Sequence, residues 1–318
     1  MKLKTIYQEV IKKGIDVDVR GKKEIEKLLK NNREIYDKLD KREKEFFDTE
    51  SFFNPFSDTR ILNGDPEIDI KNILIGIDID VSEVLLAERL NSIGKKIDLV
   101  ISHHPIGRAY ANFYEVMDLQ VDIFLKEGLS LSVSENLLKE RKSQVERKVH
   151  AVNHQRTVDV AKLLGINLFC MHTPCDNLAH QYIYKLIEKE KPNTLGKIID
   201  ILYEIQEYRE SSKLGNPPKI VIGNKNSRVN KIHIEFTGGT EGPQEVYREL
   251  ASKGVDTIIS MHQSEEHFKK SKEANLNVIF ASHIASDTLG VNLMLDHLEK
   301  KEKFKIFECS GFRRFIHK

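Results

Sequence analysis

The sequence predicts an α/β protein made of two related α/β halves, with a helical extension at its N-terminus. From residue 71 onward, short segments rich in β-branched residues alternate with longer amphipathic segments, which is typical of largely parallel sheets covered by helices. The second half of the chain then repeats the order of these segments. The first fifty residues differ, because 26 of them are charged and their apolar residues follow helical spacing.

The N-terminal segment IEKLLKNNREIYDKLDKREKEFF predicts one or two amphipathic helices that pack on the body of the protein with a solvated charged face. FFNPFSDTRILNGDPE, rich in Pro, Gly, Asn and Asp, is typical of an irregular connector. We therefore expect four regions: a helical extension and connector (1–70), a first α/β domain with a helical insertion (71–192), a second connector (193–230) and a second α/β domain (231–318).

The repeat is visible in two pairs of segments. KKIDLVISHH (residues 95–104) aligns with KGVDTIISMH (residues 253–262), and each follows a strand and a helix. INLFCMHTPCD (166–176) aligns with LNVIFASHIASD (276–287), and both end in His-x3-Asp before a helix. The repeated order predicts an internal duplication whose halves face a shared cleft.

Composition narrows the class of protein. Its 318 residues suffice for two domains with real cores, and 50 basic against 49 acidic residues give no general attraction to nucleic acid or anionic membranes. We find no apolar run long enough to span a bilayer and no signal peptide in MKLKTIYQEVIKKG. Three cysteines provide no disulfide framework, so we expect a cytoplasmic protein. Because no apolar run is long enough to span a bilayer, we expect no membrane partner.

Histidines and aspartates follow four predicted strands, at the edge where open parallel sheets gather their functional groups. Imidazole and carboxylate together suit Zn, Mn, Fe, Co or Ni, and the candidates exceed what one ion can use, which favours a pair of ions. Side chains of successive residues point apart, so His103 and His104 would each reach a different ion. The candidates are His103, His104, His172, Asp176, His262, His283 and Asp287.

Other polar residues have simpler interpretations. His150 and His154 lie four residues apart without a carboxylate at a strand end, which favours surface or packing roles. Cys175 is best explained as a small buried thiol. Gly238 and Gly239 could cradle an anion with backbone amides, although a tight turn explains them as well.

The segments GIDIDVSEVLLAERL, DLVISHHP, HTPCDN and VIFASHIASDTLG resemble the NIF-three-like proteins, also described as GTP cyclohydrolase I type 2 homologues. The resemblance covers about Lys71–Lys191 and Lys231–Lys300. It implies a dinuclear metal centre between two related α/β domains, with two divalent ions per chain, and a toroidal homo-hexamer. The ligands that it implies are His103, His104, Asp176, His283 and Asp287, with His172 as a neighbour or sixth ligand.

The chain departs from this family at three places. Asp287 stands where the family usually has Glu, and Ile106, Gly107 and Arg108 replace bulky apolar residues after HHP. Ser260, Met261 and His262 replace a common Thr-Gly-Asp. These changes concern the substrate more than the metal site.

Two functions remain open from the sequence. The first is a metal-dependent hydrolase acting on a nucleotide or a phosphoester, with His172 or His262 as an uncoordinated proton shuttle. The second is a non-enzymatic, ring-forming metal scaffold that binds a protein or single-stranded nucleic acid. For the second, the basic candidates are Arg108, Arg313 and Arg314, and the stacking candidates are Tyr110, Phe113 and Tyr114.

Overall fold

A computed structural model describes residues 1–317 of the chain; Lys318, the last residue of the predicted second domain, lies outside the described residues. The α-helices are α1 (Leu3–Asp16), α2 (Lys22–Lys38), α3 (Lys41–Phe46), α4 (Val81–Ser92), α5 (Gly107–Ala111), α6 (Leu119–Glu127), α7 (Leu131–His150), α8 (Arg156–Leu163), α9 (Thr173–Glu190), α10 (Leu195–Tyr203), α11 (Gln206–Lys213), α12 (Val246–Ser252), α13 (Glu265–Glu273) and α14 (His283–Leu298). The strands are β1 (Arg60–Asn63), β2 (Asn72–Gly76), β3 (Leu99–Ser102), β4 (Leu168–Cys170), β5 (Lys219–Ile222), β6 (Ile232–Glu235), β7 (Thr257–Ser260), β8 (Asn277–Phe280) and β9 (Lys305–Glu308). Among residues 1–317, no helix has both the length and the apolar character that crossing a bilayer requires.

The strands form two sheets with the same internal order, which confirms the predicted α/β class. The first sheet runs β1-β4-β3-β2-β9 and the second runs β5-β8-β7-β6. The first sheet has four parallel strands and the second has three, and each sheet is bordered by one antiparallel strand that is its first strand in the chain. That antiparallel strand carries a register shift in each half, between Ile61 and Asn63 and between Ile220 and Ile222. The shared irregularity supports the duplication.

Two strands lie outside the ranges that the sequence assigns to the first α/β domain. β1 falls within the predicted extension 1–70 but pairs with β4, and β9 falls within the predicted second domain but pairs with β2. The reason is long-range pairing: the C-terminal segment returns to an open sheet edge far away in sequence. The first sheet is therefore built from three separate parts of the chain.

The N-terminal extension is helical, as predicted, and its first helix belongs to the core. Leu3, Ile6, Val10 and Ile11 of α1 are buried at helical spacing against the first sheet. In α2, by contrast, the buried residue is Ile25, so most of the charged surface of this helix faces solvent.

Helices α9 and α14 come from equivalent places in the two halves and pack against each other. The contact is close at Gly290, where a Cβ atom would lie 2.4 Å from the carbonyl oxygen of Cys175. A glycine is needed there because any side chain would meet the backbone of the other helix. This crossing sets the separation of the N-terminal turns of the two helices.

Candidate metal centre

His103 and His104 directly follow β3 at the carboxyl end of the first sheet. The His103 N–H donates to the Gly76 carbonyl (3.1 Å) and the His104 N–H donates to the Ile77 carbonyl (2.9 Å), so the backbone of both is fixed to β2 and its extension. Pro105 then cannot donate a further ladder hydrogen bond. The two rings diverge, with centroids 5.4 Å apart, as expected for successive residues of an extended chain.

The remaining donors lie where α9 and α14 begin. His172 precedes α9 and Asp176 lies in its first turn, while His283 opens α14 and Asp287 lies one turn later. Spacing of four residues places each imidazole beside its own carboxylate. Because the two helices cross near these turns, the pair from each half meets the pair from the other.

The structure brings together all six histidines and aspartates that the family resemblance named. His103 Nε2 lies 3.3 Å from Asp176 Oδ1 and 3.5 Å from Asp287 Oδ1. Asp287 Oδ2 lies 3.2 Å from His104 Nε2 and 3.3 Å from His283 Nε2. His172 Nε2 lies 3.5 Å from Asp176 Oδ2. Every Nε2 atom therefore faces a carboxylate, although the role of each residue as a ligand stays a prediction.

The opposite ring nitrogens of three histidines are held by acceptors outside this cluster. His103 Nδ1 lies 3.2 Å from the Met171 carbonyl, His104 Nδ1 lies 2.6 Å from Asp78, and His172 Nδ1 lies 2.8 Å from Asp58. Such acceptors place the proton on Nδ1 and leave Nε2 as a lone-pair donor. That is the arrangement of histidines that coordinate metal ions in proteins.

Several buried polar atoms at the centre lack a hydrogen-bond partner. These are His103 Nε2, Asp176 Oδ1 and Asp287 Oδ2, in side chains that are at most 7% exposed. An unpartnered buried polar atom is costly, and three together in a native fold need an explanation. Two groups have donor atoms close enough to share an ion: His103, His172 and Asp176, and His103, His104 and Asp287. The residues present therefore fit divalent cations that prefer nitrogen and oxygen ligands.

The pKa values of His104 and Asp287 reflect the close contacts between imidazoles and carboxylates at the centre. Burial opposes a charge on His104, yet the nearby Asp287 carboxylate and the hydrogen bond with Asp78 raise its pKa to about 9. Burial likewise opposes ionisation of Asp287, but the charge of His103 and contacts with His104 hold the Asp287 pKa well below its ordinary value. Protons here occupy positions that a cation would take, so metal binding and proton release are coupled.

Two residues at the centre were missed by sequence reasoning. Asp58 is fully buried; although burial opposes its charge, hydrogen bonds from His172 and Thr173 lower its pKa. It lies in the irregular connector, where nothing in the local pattern indicates a functional residue. Asp78 follows β2, and the rule that selected the other strand-end carboxylates would have found it in the segment GIDID.

His262, the second predicted proton shuttle, lies at the edge of the centre. Its side chain is half exposed, its ring centroid is 4.6 Å from that of His283, and its Nδ1 lies 3.6 Å from Glu241. His172, in contrast, is buried with its Nε2 among the candidate ligands. The two residues predicted to share one role therefore occupy different environments.

The residues singled out for a nucleic-acid surface are largely engaged within the protein. Arg314 pairs with Asp296 and Glu299, and Arg108 pairs with Asp48 and Glu50. Arg313 Nη1 donates to the Phe312 carbonyl. The three aromatic candidates are partly buried around Met117: Tyr110, Phe113 and Tyr114.

The simpler interpretations match the positions of the remaining residues. Cys175 is fully buried, and burial raises the pKa of its thiol. His150 is exposed at the end of α7, and the His154 carbonyl accepts a hydrogen bond from the Gly107 N–H. Gly238 and Gly239 both have positive φ angles in a loop that turns beside the centre.

Two cavities flank the candidate centre. One, of about 100 Å³, is lined by His172, Asp176, His283 and Asp287 on one side and by residues of the second sheet on the other. The second is a more open cleft of about 480 Å³ that includes His104. The centre is thus accessible to a small molecule from more than one direction.

Comparisons with known proteins agree with this fold. The model of the Duf34/NIF3 (NGG1p interacting factor 3) family matches residues 143–311, just over half of the chain. A "GTP cyclohydrolase 1 type 2 homolog" from Pyrococcus horikoshii is 29% identical over 163 residues, covering 45% of this chain; the chain spans 60% of that relative's length. The crystal structure of a NIF3 superfamily protein from Sphaerobacter thermophilus has a TM-score of 0.71 at 26% identity, covering 80% of this chain and 91% of the other. The chain belongs to the Duf34/NIF3 family.

Proposed function

We propose that this chain is a hydrolase that depends on two divalent metal ions and acts on a nucleotide or a phosphoester. The observation that carries the proposal is the set of buried, unpartnered donor atoms on His103, Asp176 and Asp287. A structural cluster would satisfy these atoms with hydrogen bonds, whereas metal ligands must leave them free. The name of the curated relative favours a nucleotide.

Each ion would be held by residues that the fold already groups. His172 and Asp176 would hold one ion, and His104, His283 and Asp287 the other. His103 Nε2, which lies near both carboxylates, is available to the first ion, so that His103 and His104 serve different ions as the sequence predicts. When bound, such a pair of cations supplies a Lewis acid and lowers the pKa of water to about 7.

The protein's own residues would position the substrate and move the proton. His262 is half exposed beside His283, so it can carry a proton between the centre and solvent. Asp58 and Asp78 orient His172 and His104 through their Nδ1 atoms. In this proposal His172 is a ligand, which leaves His262 as the proton carrier.

Metal analysis of the full chain tests the centre. We expect about two ions per chain in protein purified without added metal, and loss of most of this content in the double variant His103→Ala, His104→Ala. His150→Ala is the matched control, because His150 is an exposed histidine away from the centre. Equal metal content in all three proteins would refute the assignment.

A turnover assay tests the reaction. We expect GTP or a generic phosphoester such as p-nitrophenyl phosphate to be hydrolysed by the metal-loaded chain, and the chelator-treated chain to be inactive. His262→Gln should lower kcat by about 10²-fold or more while metal content is retained. Full activity of the metal-free protein would exclude metal-dependent hydrolysis.

A further inference from the structure

The 100 Å³ cavity beside the candidate centre has a second polar wall, built by residues that the proposed chemistry does not use. Glu235 and Tyr247 come from the second sheet and α12, and Gln120 comes from α6 in the insertion of the first domain. Apolar side chains of Ile123 and Phe124 also line the cavity. The lining therefore combines residues of the candidate centre with further oxygen-bearing side chains.

Glu235 is the last residue of β6 and brings a carboxyl group into this cavity. Aligned registers show that the equivalent position in the first sheet is Gly76, since Glu235 pairs with Ser260 as Gly76 pairs with Ser102. Tyr247 Oη donates to Glu235 Oε2 (3.1 Å), whereas His233 Nε2 is 3.8 Å from Oε1, beyond hydrogen-bond distance. Burial raises the pKa of Glu235 because it destabilises the ionised carboxylate. A further N–H donor would stabilise that ionised form.

Gln120 provides an independent indication that the cavity binds hydrogen-bond donors. Its Nε2 donates to the carbonyls of Gly238 and Thr240, both at 2.8 Å, which fixes the orientation of the amide. Its Oε1 is therefore an acceptor, and within residues 1–317 this buried atom has no hydrogen-bond partner. Gln120 lines the cavity and is only 4% exposed. Glu235 and Gln120 thus both offer oxygen acceptors.

We propose that this cavity binds a planar group with amidine-type N–H donors, with Glu235 and Gln120 accepting its hydrogen bonds. The inference rests on the proposed function, because it describes the part of the substrate that lies beside the metal centre. A carboxylate accepts two parallel N–H bonds from a carbon that carries two nitrogens, and the charge-assisted pair is stronger than neutral bonds. The amidine is held on the side opposite to the centre.

The cavity volume restricts the size of this group. A cavity needs roughly 10–15 Å³ to hold one water, and the volume of about 100 Å³ exceeds this several-fold. A single small ring or a short amidine fits inside, whereas a complete nucleotide would have to leave most of its atoms outside. The cavity therefore selects for one end of a substrate.

Binding of acetamidine to the zinc-loaded full chain tests the proposal without any need for turnover. The probe signal is the ¹³C-methyl resonance of Met261, which lines the cavity. We expect acetamidine to shift this resonance in a saturable way, and acetone, similar in size but without N–H donors, to leave it unchanged at equal concentration. Equal shifts with both compounds, or no saturable shift with acetamidine, would overturn the proposal.

Variants locate the acceptor. Glu235→Gln should weaken acetamidine binding about tenfold or more, because one charge-assisted interaction is lost. Glu245→Gln removes the same charge from an exposed position outside the cavity lining and should bind like the parent. Glu235→Asp, which keeps the charge but shortens the side chain, should weaken binding to a smaller extent and serves where Glu235→Gln fails to fold. Unchanged affinity in the folded Glu235 variants would refute the assignment.

The two proposals fail in distinguishable ways. A protein that binds acetamidine through Glu235 but hydrolyses neither GTP nor a phosphoester would contradict the hydrolase proposal alone. A metal-dependent hydrolase whose Met261 resonance ignores acetamidine would contradict the amidine subsite alone.

Discussion

At the scale of single residues, two carboxylates orient histidines of the candidate centre. Asp58 and Asp78 each accept a hydrogen bond at the Nδ1 atom of a histidine, which fixes the tautomer and the direction of Nε2. Asp58 comes from the connector after the N-terminal helices, a segment without catalytic signals. The connector after the N-terminal helices is therefore part of the candidate centre, while α1 is part of the core.

Asp58→Asn should weaken metal binding by about 10–100-fold, because the amide orients His172 less firmly and makes its Nε2 less basic. Competition between the protein and a chromogenic zinc chelator measures the change. Asp65→Asn, an exposed change in the same connector, should leave affinity at the parent level. An unaltered affinity in folded Asp58→Asn protein would show that this carboxylate does not support the centre.

His180, which lies outside the candidate centre, makes the free energy of unfolding depend on pH. Its Nδ1 is buried without a partner, and burial, with smaller contributions from His233 and Lys126, lowers its pKa to about 4. The unfolded chain has an ordinary histidine pKa near 6.5, so between these values the unfolded state binds more protons. This contribution to stability is fully present above about pH 6.5 and is lost as pH falls toward 4.

Lowering the pH from 7.5 to 5 should cost about 1–2 kcal/mol of unfolding free energy through His180. Urea unfolding of the parent and of His180→Gln at both pH values measures this, since the difference between the two proteins cancels the other titrating groups. The variant should lose less stability than the parent on acidification. Identical losses would mean that His180 binds its proton as readily in the folded protein as in the unfolded chain.

At the scale of elements, the crossing of α9 and α14 decides whether a centre forms. Each helix brings one His-x3-Asp unit in or next to its first turn, and Gly290 allows the helices to approach until Asp176 and Asp287 both reach His103. A site made of two half-sites is sensitive to small displacements of either helix.

Gly290→Ala should destabilise the protein by about 1–3 kcal/mol and reduce metal content, because the new Cβ would lie 2.4 Å from the Cys175 carbonyl oxygen. Urea unfolding and metal analysis measure the two effects. Gly196→Ala is the control. It places a Cβ of α10 3.0 Å from the Lys225 carbonyl oxygen and should leave metal content unchanged. Normal metal content in Gly290→Ala would show that the centre tolerates a wider crossing.

At the scale of the whole molecule, the centre joins the two halves of the duplication. His103 and His104 follow a strand of the first sheet, whereas His283 and Asp287 follow a strand of the second. The C-terminal strand β9 follows the second sheet in the chain but pairs with β2 of the first sheet, which links the two halves. Ions at the centre would therefore stabilise the arrangement of both halves by mass action.

Removal of metal should lower the thermal unfolding temperature of the full chain, and added zinc or manganese should restore it. At a free metal concentration of 1,000 times Kd, the gain in unfolding free energy is about 4 kcal/mol. Differential scanning fluorimetry with and without chelator measures the shift. Asp287→Asn should show a smaller metal-dependent shift than the parent, because one of the two proposed ions loses a ligand; a full shift in that variant would argue against Asp287 as a ligand.

Local pattern predicted much of this architecture. Alternating strand and helix signals predicted the α/β class, and the repeated order of segments predicted two related α/β halves; the strand orders of the two sheets come from the structure. Strand ends are recognisable because β-branched runs stop at polar residues, so His103, His104 and the two His-x3-Asp units stood out. The positions of β1 and β9 in the first sheet could not be predicted in this way, because strand pairing over long sequence separations depends on which sheet edge is open.

The sequence by itself determined the chemical nature of the donors and the strand ends that carry them, since both are properties of neighbouring residues. Only the tertiary structure decided that these donors meet, that Asp58 and Asp78 orient two of them, and that Glu235 and Gln120 line the adjoining cavity. The physical reason is that such contacts join residues far apart in the chain. Their distances are set by packing, as at Gly290, where one missing side chain fixes how closely two helices approach.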